Sequence, residues 1–399
     1  MNRRSVLAIS LLFFLVGVLG VVSRINVAEA VITTVYIRSD GGVDPYMAPI
    51  TSSDNVTYIF TNDLYCQLVV ERDDIVIDGS GFKLLGNGTG KGVDLAGTTN
   101  VTVGSLEIRG FQHGVWLFNG SQSKVIGNEI ANNMFGVWLY ASNNTISGNR
   151  IRDNNNTGIV IDIFTSNNSV IRNNVTGNSR GIWIIQTSGH RIYHNNFINN
   201  TQQVEVFGPG SNYWDNDVEG NFWSDYGGVD EVGGGDGIGD SPHAIGIFNF
   251  DEFPLMGPVT FFDAGIWNGT HYYVHTASNS TISSFEFNDE SRLVSFNVTG
   301  LNTTTGFCRA AIPRGLLWCD YLPDWIVRVN GTLFPFRVQE YDDYTYLYLT
   351  YSHSESKVEI IGTEVIPELL FRNVTSLLIT LLILTVVAAI HASIQSKSG

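Results

Sequence analysis

Apolar and polar residues alternate in short runs that return along the chain at an almost constant interval. The runs "GVWL", "GVWL", "GIVI" and "GIWI" begin at Gly114, Gly136, Gly158 and Gly181, and each has the alternation of a short strand. The apolar residues that open the intervening runs recur about every 22 residues; they are Val101, Val125, Ile146, Val170 and Ile192. This period predicts a solenoid in which short strands of successive coils stack into parallel sheets.

Asparagine recurs with the same period. Two series each contribute one residue per repeat; they are Asn128, Asn149, Asn173 and Asn195, and Asn133, Asn154, Asn178 and Asn200. An asparagine amide can hydrogen-bond to its counterpart one coil away, and the residue type tolerates the left-handed backbone of sharp turns. Leucine-rich and helical repeats do not combine this much asparagine with so little leucine. The pattern therefore predicts a parallel β-helix, a single-stranded solenoid of roughly six coils between residues 75 and 212.

The coils and the segments that flank them resemble a known family. The opening segment "VVERDDIVIDGSGFKLLG" (69–86), the closing segment "NYWDNDVEGNFWSDYGG" (212–228) and "GDGIGDSP" to "FPLM" (235–256) follow the order seen in NosD-like surface proteins. The resemblance implies a right-handed β-helix related in fold to pectate lyases and to carbohydrate-binding and sugar-hydrolysis domains. It covers more than half of the chain and is specific for a family but not for an activity.

A second domain is predicted after the β-helix. The repeat stops beyond Pro258, and about seven alternating strands follow over roughly 100 residues, which is typical of an antiparallel β-sandwich. We therefore assign residues 31–258 to the β-helix with its opening and capping segments, and residues 259–365 to the β-sandwich. This part resembles the domain between such β-helices and a membrane anchor in archaeal surface proteins, where a spacer or lid is the expected role.

Both ends of the chain predict membrane targeting. Residues 1–30 have the charged start, the apolar stretch and the small-residue cleavage site of an export signal, for which an uncleaved signal anchor is the alternative. The uncharged apolar run at 374–390 spans roughly 25 Å as a helix, enough to cross a bilayer. We predict a transmembrane anchor at 366–392, a cytoplasmic tail at 393–399, and the bulk of the protein outside the plasma membrane.

The charge of the chain excludes one class of partner. A net charge of -16 and a pI near 4.8 disfavour nucleic acid. N-x-S/T sequons occur in both domains and predict glycosylation of the exported protein; the candidate sites are Asn55, Asn87, Asn119, Asn268, Asn297 and Asn330. Cys308 and Cys319 lie on either side of a predicted turn and could form a disulfide in an oxidising compartment. Cys66 has no evident partner and is predicted to be buried.

The tryptophans of the repeat are the candidate ligand-binding residues. With the aliphatic residues of "GVWL" pointing inward, an outward aromatic stripe is expected; it comprises Trp116, Phe118, Trp138, Tyr140 and Trp183, and is interrupted at Val160. Exposed aromatic rings of this kind suit the faces of sugars, which predicts a polysaccharide or surface glycan as partner. The alternative is that the second domain or the closing segment folds over the rings and buries them.

Metal binding has one preferred candidate loop. Asp230, Asp236 and Asp240 lie in "DEVGGGDGIGD" and could supply hard oxygen ligands to Ca²⁺, although a glycine-rich cap would explain the same residues. Copper handling, the role attached to the NosD name, would require clustered thioether or imidazole ligands. The candidate ligands are scattered or too far apart along extended segments; they are Met47, Met134, Met256, His190 with His194, and His271 with His275.

No catalytic residues are assigned. A lyase or hydrolase of the pectate-lyase-like fold would need carboxylates in register on one outer face, and Asp94 and Asp162 are isolated there. We do not expect neighbouring coils to carry two carboxylates in register. The sequence therefore favours polysaccharide binding, adhesion or cell-envelope architecture, with a polysaccharide-processing enzyme or a copper-handling protein as alternatives.

Overall fold

The computed structural model describes residues 33–366, and this part of the chain is built from β-strands with two short 3-10 turns at Val232–Gly234 and Leu322–Asp324. The predicted export signal, and all but the first residue of the predicted anchor and tail, lie outside the described residues. Within residues 33–366, no helix has the length and apolar character required to span a bilayer.

The β-helix and its closing segments contain the first 26 strands. They are β1 (Thr34–Ile37), β2 (Val43–Asp44), β3 (Ile50–Thr51), β4 (Thr57–Phe60), β5 (Gln67–Val70), β6 (Val76–Asp78), β7 (Lys83–Leu85), β8 (Lys91–Asp94), β9 (Thr102–Gly104), β10 (Glu107–Arg109), β11 (His113–Phe118), β12 (Lys124–Ile126), β13 (Glu129–Ala131), β14 (Phe135–Tyr140), β15 (Thr145–Ser147), β16 (Arg150–Arg152), β17 (Thr157–Ile161), β18 (Ser169–Ile171), β19 (Asn174–Thr176), β20 (Arg180–Ile185), β21 (Arg191–Tyr193), β22 (Asn196–Ile198), β23 (Gln202–Phe207), β24 (Phe222–Trp223), β25 (His243–Gly246) and β26 (Asn249–Asp251).

The first 24 of these strands form three long sheets, one for each side of the solenoid, and β25 and β26 form a separate two-stranded sheet. Sheet A has the order β2-β1-β5-β8-β11-β14-β17-β20-β23, sheet B β21-β18-β15-β12-β9-β6-β4-β3, and sheet C β24-β22-β19-β16-β13-β10-β7. Pairing between successive coils is parallel, as in Val115 with Val137 and Trp116 with Trp138. The solenoid has about 8 turns and is of the right-handed type, so it begins earlier than the six coils expected from residue 75.

Each coil has three strands, as expected for a period of about 22 residues, although the sequence pattern made only two of them visible. The run "VIGNEI" is split between β12 and β13 by a corner at Gly127, whose φ is +66°. At each such corner a residue in the left-handed conformation precedes an inward asparagine, as in Gly127 before Asn128 and Gly148 before Asn149. Glycine adopts this conformation without a steric penalty. The same corner position is occupied by Arg172 and then His194 on the next two coils.

The inward asparagines form continuous hydrogen-bond ladders, which confirms the prediction from their spacing. Asn149 is typical: its backbone N–H donates to Oδ1 of Asn173 at 3.0 Å, and its own Oδ1 accepts from the N–H of Asn128 at 2.9 Å. A third, unpredicted ladder runs through Asn144, Asn168 and His190, where Nδ1 of His190 accepts from the N–H of Asn168. Because these groups are buried, the ladders satisfy backbone donors that the corners would otherwise leave unpaired.

The closing segment seals the end of the solenoid. Trp214 and Trp223 are almost fully buried, and the ring of Trp223 stacks on Phe197 with 4.5 Å between centroids. Strand β26 terminates two ladders: Oδ1 of Asn249 accepts from the N–H of Asn212, and Oδ2 of Asp251 accepts from the N–H of Asn221. The aromatic residues of this segment therefore cover the core end and not the predicted aromatic stripe.

The second domain contains the remaining strands, all paired antiparallel. They are β27 (Val259–Trp267), β28 (Thr270–Ser278), β29 (Thr281–Asn288), β30 (Leu293–Thr299), β31 (Thr305–Pro313), β32 (Leu317–Trp318), β33 (Ile326–Val329), β34 (Thr332–Leu333), β35 (Arg337–Tyr341), β36 (Tyr344–Ser352), β37 (Ser356–Ile361) and β38 (Glu364–Val365). Two five-stranded sheets, β27-β28-β31-β36-β35 and β29-β30-β37-β33-β34, share one apolar core that includes Val274, Phe296 and Leu347. Apolar residues alternate toward this core, as expected for a sandwich.

The predicted disulfide is not formed: Cys308 and Cys319 are buried free thiols. Cys308 lies in the middle of β31, which pairs with β28 and β36, so Ser278 and Leu349 are its cross-strand neighbours. Cys319 follows β32, which pairs with β38. The two cysteines are therefore not opposite each other in a hairpin. Cys66 is also a buried free thiol, as expected.

Candidate functional site

The predicted stripe is part of a larger cluster of rings on the outer side of sheet A, which we call the aromatic face. It comprises His113, Trp116, Phe118, Phe135, Trp138, Tyr140 and Trp183, all half-buried. The rings of Trp116 and Trp138 are 5.7 Å apart between centroids, and those of Phe118 and Tyr140 stack at 5.1 Å. Parallel register places equivalent rings on adjacent coils, so the face is a regular array.

The aromatic face is continuous across the coil that lacks a tryptophan. Val160 points outward between Trp138 and Trp183 in the strand register, yet it is 0% exposed. The indole N–H of Trp138 donates to Oδ2 of Asp162 on that same coil at 2.9 Å. The outward position of this coil is therefore buried between its register neighbours Trp138 and Trp183, although it carries no ring. Since the indole is fixed by Asp162, the orientation of Trp138 is determined within the β-helix.

The second domain packs elsewhere on the β-helix. Its first strand exchanges hydrogen bonds with Asn196 of β22, where Nδ2 donates to the carbonyl of Val259 and Oδ1 accepts from its N–H. The guanidinium of Arg172, at the corner between sheets B and C, lies 4.5 Å from the ring of Phe261. These contacts lie away from the aromatic face, whose rings stay partly exposed, so the described second domain does not bury the stripe.

Charges around the aromatic face are paired. Lys91 and Asp94 form an ion pair at 2.8 Å at one end, and Arg180 pairs with Glu205 at the other. Each cation also lies over an indole, Lys91 over Trp116 and Arg180 over Trp183. Burial and the nearby Lys91 lower the pKa of His113 to about 4, so its imidazole is neutral at physiological pH. The face therefore presents rings with little net charge.

The three aspartates of the glycine-rich loop accept hydrogen bonds from backbone N–H groups. Asp230 accepts from Asp236 and Gly237, Asp240 from Glu231 and Val232, and Asp236 from Ile238. Burial, together with the charges of Asp236 and Asp240, raises the pKa of Asp230. Within residues 33–366, these carboxylates do not form a group whose ligand atoms lie within 4.8 Å of one another. Calcium binding at this loop stays a prediction.

The sequons lie mostly at the surface. Asn297 is half-buried on β30, and the others are exposed in turns; these are Asn55, Asn87, Asn119, Asn268 and Asn330. Glycosylation at these positions also stays a prediction.

Sheet C corrects one expectation about carboxylates. Glu107 and Glu129 are cross-strand neighbours on adjacent coils, so two carboxylates do stand in register. Arg109 contacts Glu129 at 2.9 Å, Arg152 contacts it as well, and Lys83 lies 3.5 Å from Glu107. Burial opposes ionisation of Glu129, but these arginines hold the pKa of that carboxyl below its usual value. The pair is neutralised by cations and offers no free carboxylate for Ca²⁺ or acid–base chemistry.

Sequence reasoning missed a buried polar cluster at the joint between the two domains. Oε2 of Glu219 accepts hydrogen bonds from Nε2 of His194 at 3.0 Å and of His275 at 2.8 Å. Its other oxygen, Oε1, accepts from Nε of Arg309 at 2.7 Å. His194 and Glu219 belong to the β-helix, whereas His275 and Arg309 lie on β28 and β31. We call these four residues the joint cluster; all four side chains are buried.

The joint cluster contains a buried ion pair, in which the carboxylate of Glu219 faces the guanidinium of Arg309. Burial alone would raise the pKa of Glu219, but His275, His194 and Arg309 hold it well below the usual range. Burial lowers the pKa of His275, so its neutral imidazole donates to the ionised carboxylate. Within residues 33–366, His194, Glu219 and His275 are the one group of such side chains whose ligand atoms lie close enough together to hold a metal ion. They were far apart in the sequence, and only the folding of the second domain onto the corner of the coil unites them.

The fold and its ladders define a parallel β-helix protein with an appended antiparallel domain. Residues 48–228 match the family described as periplasmic copper-binding protein (NosD), which confirms the resemblance of the coil motifs. No curated protein matches the chain at a significant level.

Three solved phage structures are similar in outline. The enzymatically active domain of tailspike protein 2 from bacteriophage CBA120 has a TM-score of 0.31 and 10% identity, covering 76% of this chain and 59% of that one. Full-length tailspike protein 2 from the Escherichia coli O157:H7 bacteriophage has a TM-score of 0.31 and 10% identity, covering 77% of this chain and 51% of that one. ORF18 of Geobacillus virus E2 has a TM-score of 0.21 and 11% identity, covering 73% of this chain and 59% of that one. This chain spans less than two thirds of each structure, and likenesses at these scores bear on neither function nor substrate.

Proposed function

We propose that this protein is a surface β-helix protein that binds a polysaccharide on its aromatic face. The observation that carries the proposal is the array of partly exposed rings on adjacent coils of sheet A, with Trp116 and Trp138 at its centre. Contiguous aromatic surface can mark a binding site, and rings held by a rigid scaffold lose little conformational freedom when they bind. Adhesion and envelope architecture are both served by such a surface.

The pairing of charges favours a neutral glycan. Because Lys91 is neutralised by Asp94 and Arg180 by Glu205, no free cation is directed at an acidic sugar. Stacking on rings is non-ionic and therefore weakly sensitive to salt, whereas recognition of a polyuronate would weaken as ionic strength rises. We expect binding of neutral polysaccharide that changes little between low and moderate salt.

A glycan-binding screen on the full-length protein tests the proposal. The double variant Trp116→Ala/Trp138→Ala should bind the selected glycan at least about tenfold more weakly, corresponding to about 1.4 kcal/mol. Tyr46→Ala is the matched control, because Tyr46 is an 88% exposed aromatic residue outside the face. Thermal unfolding checks that both variants fold. Absence of glycan binding by the wild type, or equal binding by wild type and double variant, would exclude this function.

Membrane anchoring is a separate part of the proposal. The apolar run at 374–390 and the signal at 1–30 support an exported protein held at the membrane with its bulk outside. Cell fractionation compares the full chain with a version that ends at residue 365. Membrane recovery of the first and release of the second into the medium are expected, and equal partitioning of the two would contradict the anchor.

Copper handling, the role in the family description, is a second candidate with narrower support. The thiols are buried at separate places, and Met47 and Met134 are exposed on different coils, so the described residues offer no clustered sulfur ligands for Cu⁺. The joint cluster does offer two imidazoles and a carboxylate, which suit Cu²⁺ or Zn²⁺. An ion bound there would be a buried resident of the joint, which is a different role from transfer of copper to a partner.

A further inference from the structure

We propose that His194, Glu219 and His275 form a site for one borderline divalent ion, Cu²⁺ or Zn²⁺, that fastens the second domain to the β-helix. This inference is independent of glycan binding on the aromatic face, which lies on another sheet. It rests on the convergence of three ligand side chains from three separate segments, two in the solenoid and one in the second domain.

The distances between the ligand atoms fit an ion with little movement. Two ligands that each lie about 2.1 Å from a tetrahedral ion stand about 3.4 Å apart. Oε2 of Glu219 is 3.0 Å from Nε2 of His194 and 2.8 Å from Nε2 of His275. Each of these two distances would have to lengthen by about half an ångström, and the two Nε2 atoms, which lie within 4.8 Å of each other, would have to settle near the same spacing. Each imidazole would bind through Nε2, with its proton moved to Nδ1.

The surroundings hold the ligands in place and leave access. Arg309 fixes the second oxygen of Glu219, which is how outer partners orient a coordinating carboxylate. His275 is held between the rings of Phe261 and Tyr344, and within residues 33–366 its Nδ1 has no hydrogen-bond partner. Both imidazoles line a cavity of about 240 Å³, through which an ion and a water ligand could reach them. Two histidines, one glutamate and an open position are a known zinc arrangement.

The charges near the site set its strength. Arg309 and Arg172 are cations close to the ligands, and Arg172 lies over Phe261 on the cavity wall. Negative charge is supplied by Glu219, by Asp342 and Asp343 on the same wall, and by Asp236, whose Oδ2 is 4.0 Å from Nη1 of Arg309. Since the cations are balanced, a divalent ion does not enter an excess of positive charge.

A buried polar cluster at this place requires an explanation beyond stability. A buried ion pair is often no more stabilising than apolar residues of the same volume. The joint has apolar material available, because Leu255, Val259 and Ala277 form a small core beside it. The presence of two histidines at one carboxylate oxygen is better explained by coordination of a metal ion, because binding of the ion adds to the stability of the folded protein.

Metal content and thermal unfolding of the full-length protein test the site. Protein stripped with EDTA is given Zn²⁺ or Cu²⁺ alone, desalted and analysed for bound metal. We expect one equivalent of either ion, a higher Tm with the ion than with EDTA, and nitrogen hyperfine structure from two imidazoles in the spectrum of bound Cu²⁺. His271→Ala is the matched control, because His271 lies on the same strand, is exposed and pairs with Asp263.

The variant His275→Gln separates coordination from simple hydrogen bonding. The glutamine amide can still donate to Glu219, so a metal-free hydrogen-bond network would tolerate it, but it is a poor ligand for Zn²⁺ or Cu²⁺. We expect His275→Gln to fold, to lose the bound equivalent and to show the same Tm with ion and with EDTA. A wild type that retains no ion and is not stabilised by either one would overturn the proposal. Ion binding by His275→Gln equal to that of the wild type would overturn it as well.

Discussion

The β-helix and the second domain are both made of short strands, yet they are held together by different means. In the β-helix, each coil repeats its neighbour, and buried asparagines satisfy the corners one coil at a time. In the second domain, strands distant in sequence pair across two sheets around a shared apolar core, as β30 does with β37. Polar groups thus specify register in the first region, whereas apolar alternation specifies it in the second.

The joint between the two regions is held by both buried polar hydrogen bonds and apolar packing. It has a small apolar core, and beside it the buried joint cluster, in which a left-handed corner of the β-helix supplies His194 and the sandwich supplies His275 and Arg309. A charge is buried there only because both regions contribute to its hydrogen bonds. The comparison therefore predicts that polar changes damage the ladders and the joint more than the second domain.

The largest effect is expected from Glu219→Ala. The change leaves Arg309 buried without its anion and removes the acceptor for two histidines, which should cost about 3–5 kcal/mol. Differential scanning calorimetry should show the β-helix and second domain unfolding in separate transitions. Glu252→Ala, an exposed acidic residue of the same closing region, is the control and should behave as wild type. An unchanged single transition for Glu219→Ala would mean that the joint does not depend on this carboxylate.

A smaller loss of stability is expected from Asn154→Ala. The N–H of Asn133 would lose its acceptor, and the carbonyl of Ile130 would lose the donor Nδ2 of Asn154. Chemical denaturation should report about 2–4 kcal/mol of destabilisation, since each buried unsatisfied group costs about 1–3 kcal/mol. Asn155→Ala changes the next, exposed residue and should be nearly neutral. Equal effects of the two variants would show that the ladder does not stabilise the coils.

A pH-dependent effect is expected at the end of one ladder. Burial raises the pKa of Asp251 to about 7 from its ordinary value of 3.8, so the folded protein retains a proton that the unfolded chain releases between these values. Its contribution to stability is complete below the unfolded pKa and is lost as pH rises through about 7. His113 and His190, whose pKa values are lowered by burial, act in the opposite direction.

The variant Asp251→Asn isolates this contribution. Its amide carries no charge, so the Tm of the variant should fall less than that of the wild type between pH 5 and pH 8. The difference between the two slopes removes the histidine contributions, which both proteins share. Parallel slopes would show that Asp251 does not carry a proton in the folded protein.

No reaction is expected when the native protein is treated with a thiol reagent, which makes this the smallest of the expected effects. Cys66, Cys308 and Cys319 are buried, and burial raises the pKa of the Cys66 thiol to about 11. Thiol titration should detect no reactive group in native protein and three after denaturation without reductant. Detection of a single thiol after denaturation would instead support the disulfide between Cys308 and Cys319.

Repetition explains why so much of the β-helix could be predicted from the sequence. A period of about 22 residues and the asparagine series predicted the parallel register of Asn128 with Asn149 and of Trp116 with Trp138. The period implied three strands per coil, but the division of "VIGNEI" into β12 and β13 was not visible because the segment looks like one alternating run. The corner is visible only as Gly127 in a left-handed conformation. The disulfide prediction failed because proximity in sequence does not place two cysteines on paired strands.

The joint cluster gave only a weak signal in the sequence. On successive coils the left-handed corner position is occupied by Gly127, Gly148, Arg172 and then His194. Bulky residues at a position suited to glycine are uncommon and often functional. The change from glycine to a bulky residue at this corner position marks Arg172 and His194 as unusual within the repeat. The partners Glu219, His275 and Arg309 lie outside the repeat, so its period could not predict them.

By itself, the sequence determined the solenoid, its inward ladders and the outward tryptophans, because each coil repeats the same local chemistry and neighbouring coils must stack in register. Only the tertiary structure decided that the rings of the aromatic face keep part of their surface exposed and that the outward Val160 is buried. It also decided that His194, Glu219 and His275 meet, since the packing of one domain on another depends on surfaces that no single segment encodes. Local periodicity specifies register, whereas contacts between non-repeating segments depend on the whole folded chain.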